Sequence, residues 1–226
     1  MATILFYSSK GGVGKTTSAL LLSIALAQKA PVVLVDADPN KPMQDWAAGD
    51  NVPKNLTILS DVTLDTLPGI IKEWSVKVPF VIVDVEGVAS FLGQTALAMS
   101  NFVVIPTQGS TLDASQVMDV IQNIELQETK MHVHVPDYKI PYKILLTRTN
   151  SAIRARTLSH IEKSLTDEKV PVFAAELNER EAFRAIFSYR KPLEMLSAKD
   201  VPNIDKAIAN VKLFADELIE DLRALR

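Results

Sequence analysis

Apolar positions along this chain follow two alternating patterns. Short runs rich in β-branched residues recur at Thr3–Tyr7, Val32–Val35, Phe80–Val83, Phe102–Ile105, Lys143–Leu146 and Val170–Phe173. Several are apolar at successive positions, as expected of strands covered on both faces of a parallel sheet. Between them, apolar residues recur at helical spacing over Thr16–Lys29, Leu64–Val76, Leu112–Leu126, Ile153–Leu165, Ala182–Ser188 and Ile204–Leu225. Such alternation predicts an α/β fold, a mainly parallel sheet flanked by helices and joined by right-handed crossovers. No internal repeat and no Gly/Ser-rich linker interrupts it, so a single domain over residues 1–226 is expected.

Composition narrows the function. Apolar residues make up 47% of the 226 and charged residues 23%, the balance of a globular protein with a full core. The chain has no cysteine, which excludes a disulfide scaffold, a thiol nucleophile and a thiolate-ligated metal. A formal net charge of −3 gives no global signature of nucleic-acid binding, though it leaves room for a local basic patch. The start, MATILFYSSKGG, lacks the basic region and small-residue cleavage site of a secretion signal. No apolar stretch approaches the roughly 20 residues of a membrane span. A cytoplasmic location is the expectation.

The strongest chemical signal follows the first strand. Ser8-Ser9-Lys10-Gly11-Gly12-Val13-Gly14-Lys15-Thr16-Thr17 runs directly into a helical pattern. A phosphate-binding loop has Gly, four residues, then Gly-Lys-Ser/Thr. Here Gly14-Lys15-Thr16 fits, while the first Gly is replaced by Ser9 and the second slot carries Lys10. Gly11, Gly12 and Gly14 let backbone amides around Val13 turn toward phosphate oxygens, and the N-terminus of the helix starting near Thr16, next to Thr17, adds positive potential. Lys15 suits the β- and γ-phosphates and the Thr16 hydroxyl suits Mg2+, so ATP and Mg2+ are the expected ligands.

KGGVGKTT resembles the signature of the ParA/MinD family of deviant Walker-A P-loop ATPases, and closest to it stand the short plasmid-partition members. Other segments carry the same likeness. Val33-Leu34-Val35-Asp36-Ala37-Asp38-Pro39-Asn40 resembles the family's second phosphate-side motif, with Asn40 where Gln is usual. Val81-Ile82-Val83-Asp84 resembles its Walker B strand, and Leu145-Leu146-Thr147-Arg148 its base-side strand. The resemblance implies that Asp38 orients the attacking water and that Asp36 and Asp84 serve the Mg2+ shell, Asp84 through a water. Strand-end or helix-capping roles for the three carboxylates stay open. It also implies that Lys10 reaches the phosphates of a second subunit in an ATP-dependent homodimer, supplying positive charge as an arginine finger does. Two departures stand out. Val85-Glu86-Gly87 replaces the family's Thr-Pro-Pro, placing another acid near the phosphates, and the chain begins at its first strand without a preceding helix-turn-helix, so operator-specific autoregulation is not expected.

Family members of this kind hold nonspecific DNA through basic residues and are stimulated by a ParB-like or other activator protein. Between Lys139 and Lys163, six basic residues face Glu162 alone, a local excess of +5. Within it Arg154 and Arg156 open a helical pattern, and Arg184, Arg190 and Lys191 form a second cluster. These are the candidate DNA contacts, against the alternative of ordinary solvated faces. The last helical pattern carries Asp216, Glu217, Glu220 and Asp221, which anionic lipid would repel, so it is expected to pack on the domain rather than bind membrane. His132 and His134 lack a third metal ligand, and Trp46 and Trp74 are expected to pack. The resulting expectation is a partition ATPase on DNA, cytoplasmic and associated with the nucleoid. The alternatives are a positioning ATPase for a protein complex, in conjugative transfer or a microcompartment, and a P-loop metabolic enzyme.

Overall fold

The computed structural model describes all residues except 89, 109–110, 151–169, 200 and 226, with side chains at 111–114 also outside the description. Seven strands form one sheet: β1 (Ala2–Phe6), β2 (Val32–Ala37), β3 (Leu56–Leu59), β4 (Phe80–Val85), β5 (Phe102–Thr107), β6 (Tyr142–Thr149) and β7 (Leu177–Asn178). Their order is β3-β2-β4-β1-β5-β6-β7, and every pairing is parallel. The α/β expectation therefore holds, and the sheet is parallel throughout.

Successive apolar residues in the strands serve the two faces in turn. One face carries Ile4, Phe6, Leu34, Ile82 and Leu145, covered by α1 (Lys15–Ala27), α6 (Glu181–Tyr189) and α7 (Ile204–Ala224). The other carries Leu5, Val33, Val83, Val103 and Leu146 under α3 (Leu67–Ser75), α4 (Phe91–Ala98) and α5 (Thr111–His132). Helix α1 is buried nearly all round, between the sheet and α7, which explains its continuous LLLSIALA run. A short helix, α2 (Pro42–Ala47), follows β2 and buries Met43 and Trp46.

Three elements carried no strong sequence pattern: β3, α2 and α4. One expected strand changes. Of Val170–Phe173, only Val172 bridges Ile144, and the edge of the sheet is β7 instead. Pro171 has no amide to donate, and the next free amides, Ala174 and Ala175, are taken by the Glu217 carboxylate at 3.0 and 2.9 Å. That carboxylate replaces a ladder. It belongs to α7, whose acidic residues also hold Lys143, through Glu217 at 3.2 Å and Asp221 at 2.8 Å, and Lys29, through Asp216 at 3.3 Å. With Phe214 edge-on to Phe173 at 5.2 Å, α7 packs on the sheet as expected. Among the described residues no helix is long and apolar enough to cross a membrane.

In this order β1 is central, with β4 on one side and β5 on the other. The chain leaves β1 towards β2 first and reaches β5 only later. Its C-terminal end is thus the crevice where open parallel sheets bind ligands.

Candidate functional site

The loop after β1 occupies that crevice. Gly12 and Gly14 have φ of +75° and +95°, in the left-handed region. A Cβ on Gly12 would meet nothing within 4 Å, so backbone conformation, not crowding, calls for glycine there. Gly14 is the N-cap of α1 and offers no side-chain acceptor, and the first turn has no acidic residue. Its amides are left for an anion. The loop is braced from behind. The Thr147 hydroxyl donates to the Val13 carbonyl at 2.7 Å and bonds Thr107 at 3.1 Å, Gln108 Nε2 donates to the Gly12 carbonyl at 2.7 Å, and Ser8 Oγ to that of Lys10 at 3.0 Å. Thr147 was expected beside the base. It lines that cleft, but its hydroxyl is spent on shaping the loop. Gln108 and Ser8 went unread in the sequence, their only signal being position at the C-terminal ends of parallel strands.

Lys15 is 7% exposed, with its ammonium 3.5 Å from the Lys10 carbonyl. Burial lowers its pKa, while Asp84, Asp38 and Glu86 act to keep it charged. The acids come in register. Asp36 pairs with Asp84 across β2 and β4, and Ala37 with Val85, so Asp38 and Glu86 are the next residues on both strands. Their states differ. Asp36 is fully buried and its oxygens accept the Met43 amide at 2.8 Å and the Asp38 amide at 3.4 Å, which fastens the start of α2. Burial raises its pKa against those amides. Asp38 is half-exposed and accepts the Asn40 amide at 2.8 Å and its Nδ2 at 3.0 Å on one oxygen.

Asp84 is fully buried and neither oxygen has a hydrogen-bond partner at normal geometry. Burial pushes its pKa up to about 7; the nearby Thr16 hydroxyl and the Lys15 ammonium pull the other way. A desolvated carboxylate without a donor beside a hydroxyl is the donor set a hard cation such as Mg2+ takes. The residues present fit Mg2+ and a polyphosphate.

Beyond Gly14 lies an open cleft lined by Thr17, Thr147, Arg148, Asn178, Arg180 and Phe183 among others. Arg148 adopts φ +52° at its rim, with Nε 3.8 Å from Glu179. Phosphate loop and cleft are thus continuous through Gly14.

A family model described as VirC1 protein matches residues 1–222. The chain belongs to the VirC1 family and is of the ParA type. It is 36% identical to Protein ParA of Rhizobium radiobacter over the full length of both chains. Among solved structures it resembles the apo form of a cyanobacterial McdA, with a TM-score of 0.73 at 16% identity, covering 96% of this chain and 99% of that one. MinD of Pyrococcus horikoshii, complexed with Mg-ADP, superposes with a TM-score of 0.68 at 20% identity over 96% and 95% of the two chains. At those identities the structures speak for the fold.

In this VirC1-family chain the basic clusters look different in space than in sequence. Lys139 is paired with Glu128 at 2.6 Å, Lys143 with Glu217 and Asp221, and Arg148 with Glu179. Arg184 pairs with Glu179 and, at 3.5 Å, Glu181. The local excess of +5 counted no acid beyond its own window, and here those acids arrive from α5, α7 and the loop before α6. Arg190 and Lys191 are exposed, and the backbone of Arg190 caps α6 and accepts Asn51 Nδ2 at 3.2 Å. Arg154 and Arg156, with the expected helix Ile153–Leu165, lie outside the described residues. His132 Nε2 contacts the Tyr138 carbonyl at 2.9 Å, and no metal-holding cluster occurs among the described residues. Trp46 is buried, its indole donating to the Ile186 carbonyl at 3.0 Å.

Proposed function

We propose that this chain hydrolyses ATP with Mg2+, dimerises on ATP, holds nonspecific DNA as that dimer, and so positions a plasmid or chromosome region. A ParB-like or other activator protein stimulates hydrolysis, and the cycle runs in the cytoplasm on the nucleoid. The observation that carries this reading is the orphaned, buried Asp84 beside Thr16 and Lys15 at the mouth of the glycine loop. Amides of Gly11, Gly12, Val13, Gly14, Thr16 and Thr17 bind phosphates, with Lys15 neutralising them. Thr16 and Asp84 hold Mg2+, and Asp36 fixes α2 beneath them. Bound Mg2+ takes up charge from the phosphate oxygens. Asp38 orients the attacking water through the oxygen that Asn40 leaves free. Thr147 and Arg148 flank the base, and Lys10 faces the phosphates of the partner subunit, where it offsets charge that builds up during transfer.

The test is DNA retention by the protein with ADP, then with ATP and Mg2+, over a salt series. Binding that needs ATP and falls steeply with salt is expected, as phosphate contacts require. Arg190→Glu/Lys191→Glu should weaken it roughly ten-fold. Absence of binding with either nucleotide would overturn the DNA step. It would favour a protein cargo, a second reading supported by the acid partners of Lys139, Lys143 and Arg184. Lys10→Ala should keep ATP binding within about three-fold while activator-stimulated hydrolysis falls at least ten-fold, the order expected of a finger residue. Undiminished stimulated turnover would remove the cross-subunit role.

A further inference from the structure

Tyr7 and Glu86 enter none of the roles above, and the structure ties them together. Tyr7 is fully buried at the end of β1, immediately before the phosphate loop. Its hydroxyl donates to the Val88 carbonyl at 3.3 Å, and burial holds its pKa up at about 12, so the donor keeps its proton. Gly87 lies so close to the loop that an added Cβ would sit 3.2 Å from the Ser8 carbonyl. From the far side Gly93 presses in: a Cβ there would meet the Gly87 carbonyl at 2.5 Å and the Tyr7 ring at 3.1 Å. Ser90 completes the clamp, its hydroxyl donating to the Gly87 carbonyl at 3.1 Å and accepting the Gly93 amide at 2.9 Å. The Gly87-Val88 backbone is therefore fixed on three sides, and Glu86 is the residue it presents.

Glu86 extends from the C-terminal end of β4 beside Asp38, one step past the Ala37–Val85 pair. Its charge acts on the buried Lys15 ammonium, as do those of Asp38 and the unpartnered Asp84. Asp84 is assigned a cation and Asp38 is bonded to Asn40. Glu86 is exposed, and its charge reaches the same Lys15 ammonium that the proposed function assigns to the phosphates. A fixed carboxylate there repels a triphosphate more than a diphosphate.

We infer that Glu86 is a specificity-determining residue that lowers the preference of the loop for tri- over diphosphate, and that Tyr7 is the positioning residue that holds it in place through Val88. This deepens the proposed function and rests on it, since it requires a nucleotide polyphosphate on the loop. Discrimination of this kind lets ADP compete, so that commitment to the ATP form depends on the second subunit.

Calorimetric titration of the full chain with ADP and with the non-hydrolysable analogue AMPPNP, both with Mg2+, gives the two dissociation constants. Glu86→Gln should raise the AMPPNP-over-ADP preference about five-fold, the effect of one partly screened charge. Tyr7→Phe keeps the ring but loses one buried hydrogen bond and should raise the preference two- to three-fold. The double variant should match Glu86→Gln alone, because Tyr7 acts only through Glu86. Trp46→Phe, which deletes a buried hydrogen bond to the Ile186 carbonyl of α6, should leave the ratio unchanged. Gly93→Ala, which pushes on both Gly87 and the Tyr7 ring, should shift the ratio in the same direction as Tyr7→Phe. An unaltered ratio in Glu86→Gln overturns the inference, and additive shifts in the double variant overturn the Tyr7 role. Failure of the parent chain to bind either nucleotide would instead strike the proposed function.

Discussion

Lys15→Ala is expected to weaken Mg-ATP binding by at least 100-fold while leaving the fold intact. The lysine is 7% exposed and is the cation on which Asp84, Asp38 and Glu86 all act. In the parent chain a triphosphate reaches a loop where that ammonium offsets three carboxylates; in the variant it meets the carboxylates alone. A charge-assisted contact to phosphate is worth about 1.5–3 kcal/mol, and the unmasked repulsion adds to its loss. Stability should move little. Removing Lys15 ends the cost of keeping an ammonium out of water and also ends its attraction for Asp84, two changes of opposite sign. Equilibrium titration with ATP and Mg2+ reads the first effect, and thermal unfolding of the nucleotide-free chain reads the second. Lys15→Arg should not restore binding, since a planar guanidinium does not fit a site built around a compact ammonium. Affinity retained within a few-fold in Lys15→Ala would mean that phosphates do not bind at this loop.

How much of this was legible in the sequence depends on distance along the chain. The glycine loop is contiguous, so its glycines, Lys15 and Thr16 could be read directly. Asp36 and Asp84 stood out as acids closing hydrophobic strands. That Asp36 anchors α2 while Asp84 stands unpartnered depended on the Met43 amide, supplied by a six-residue helix with no periodicity of its own. Helix α4, FLGQTALA, is apolar or small on nearly every side and gave no helical stripe. Tyr7 read as one more apolar strand residue, its hydroxyl bond reaching 81 positions along the chain. The ion pairs of the basic residues were unreadable for the same reason: Lys143 meets its acids 74 and 78 residues away. Charge counted in a window describes a surface only if the fold brings no partner from outside that window.

Replacing Asp84 by Asn should produce opposite effects on stability and on ligand response. The parent carboxyl has a pKa raised from 3.8 to about 7 by burial, so folding favours its protonated form. Its contribution to stability is full below about pH 4 and is lost as pH rises to about 7, because above that the fold must bury an anion whose lost hydration Thr16 and Lys15 offset only in part. Three units correspond to an upper limit of about 4 kcal/mol at roughly 1.4 kcal/mol each, and local relaxation should reduce this to about 2 kcal/mol. Asp84→Asn has no charge to bury. In the absence of nucleotide and Mg2+ it should therefore unfold roughly 5 °C above the parent at pH 8, as about 2 kcal/mol implies for a chain of this size. That gain should shrink steadily between pH 7 and pH 4. With AMPPNP and Mg2+ the order should reverse, since the parent gains stability from ligand and the variant loses its share of the cation site. Melting curves at pH 8, 6 and 4, with and without ligand, test both halves. A variant no more stable than the parent at pH 8 would show that Asp84 is not an uncompensated anion. An undiminished ligand-induced shift would show that it does not hold the cation. The carboxylate that most destabilises the empty fold is, on this account, the one the bound state needs, and its cost in the empty chain becomes a preference for the loaded one.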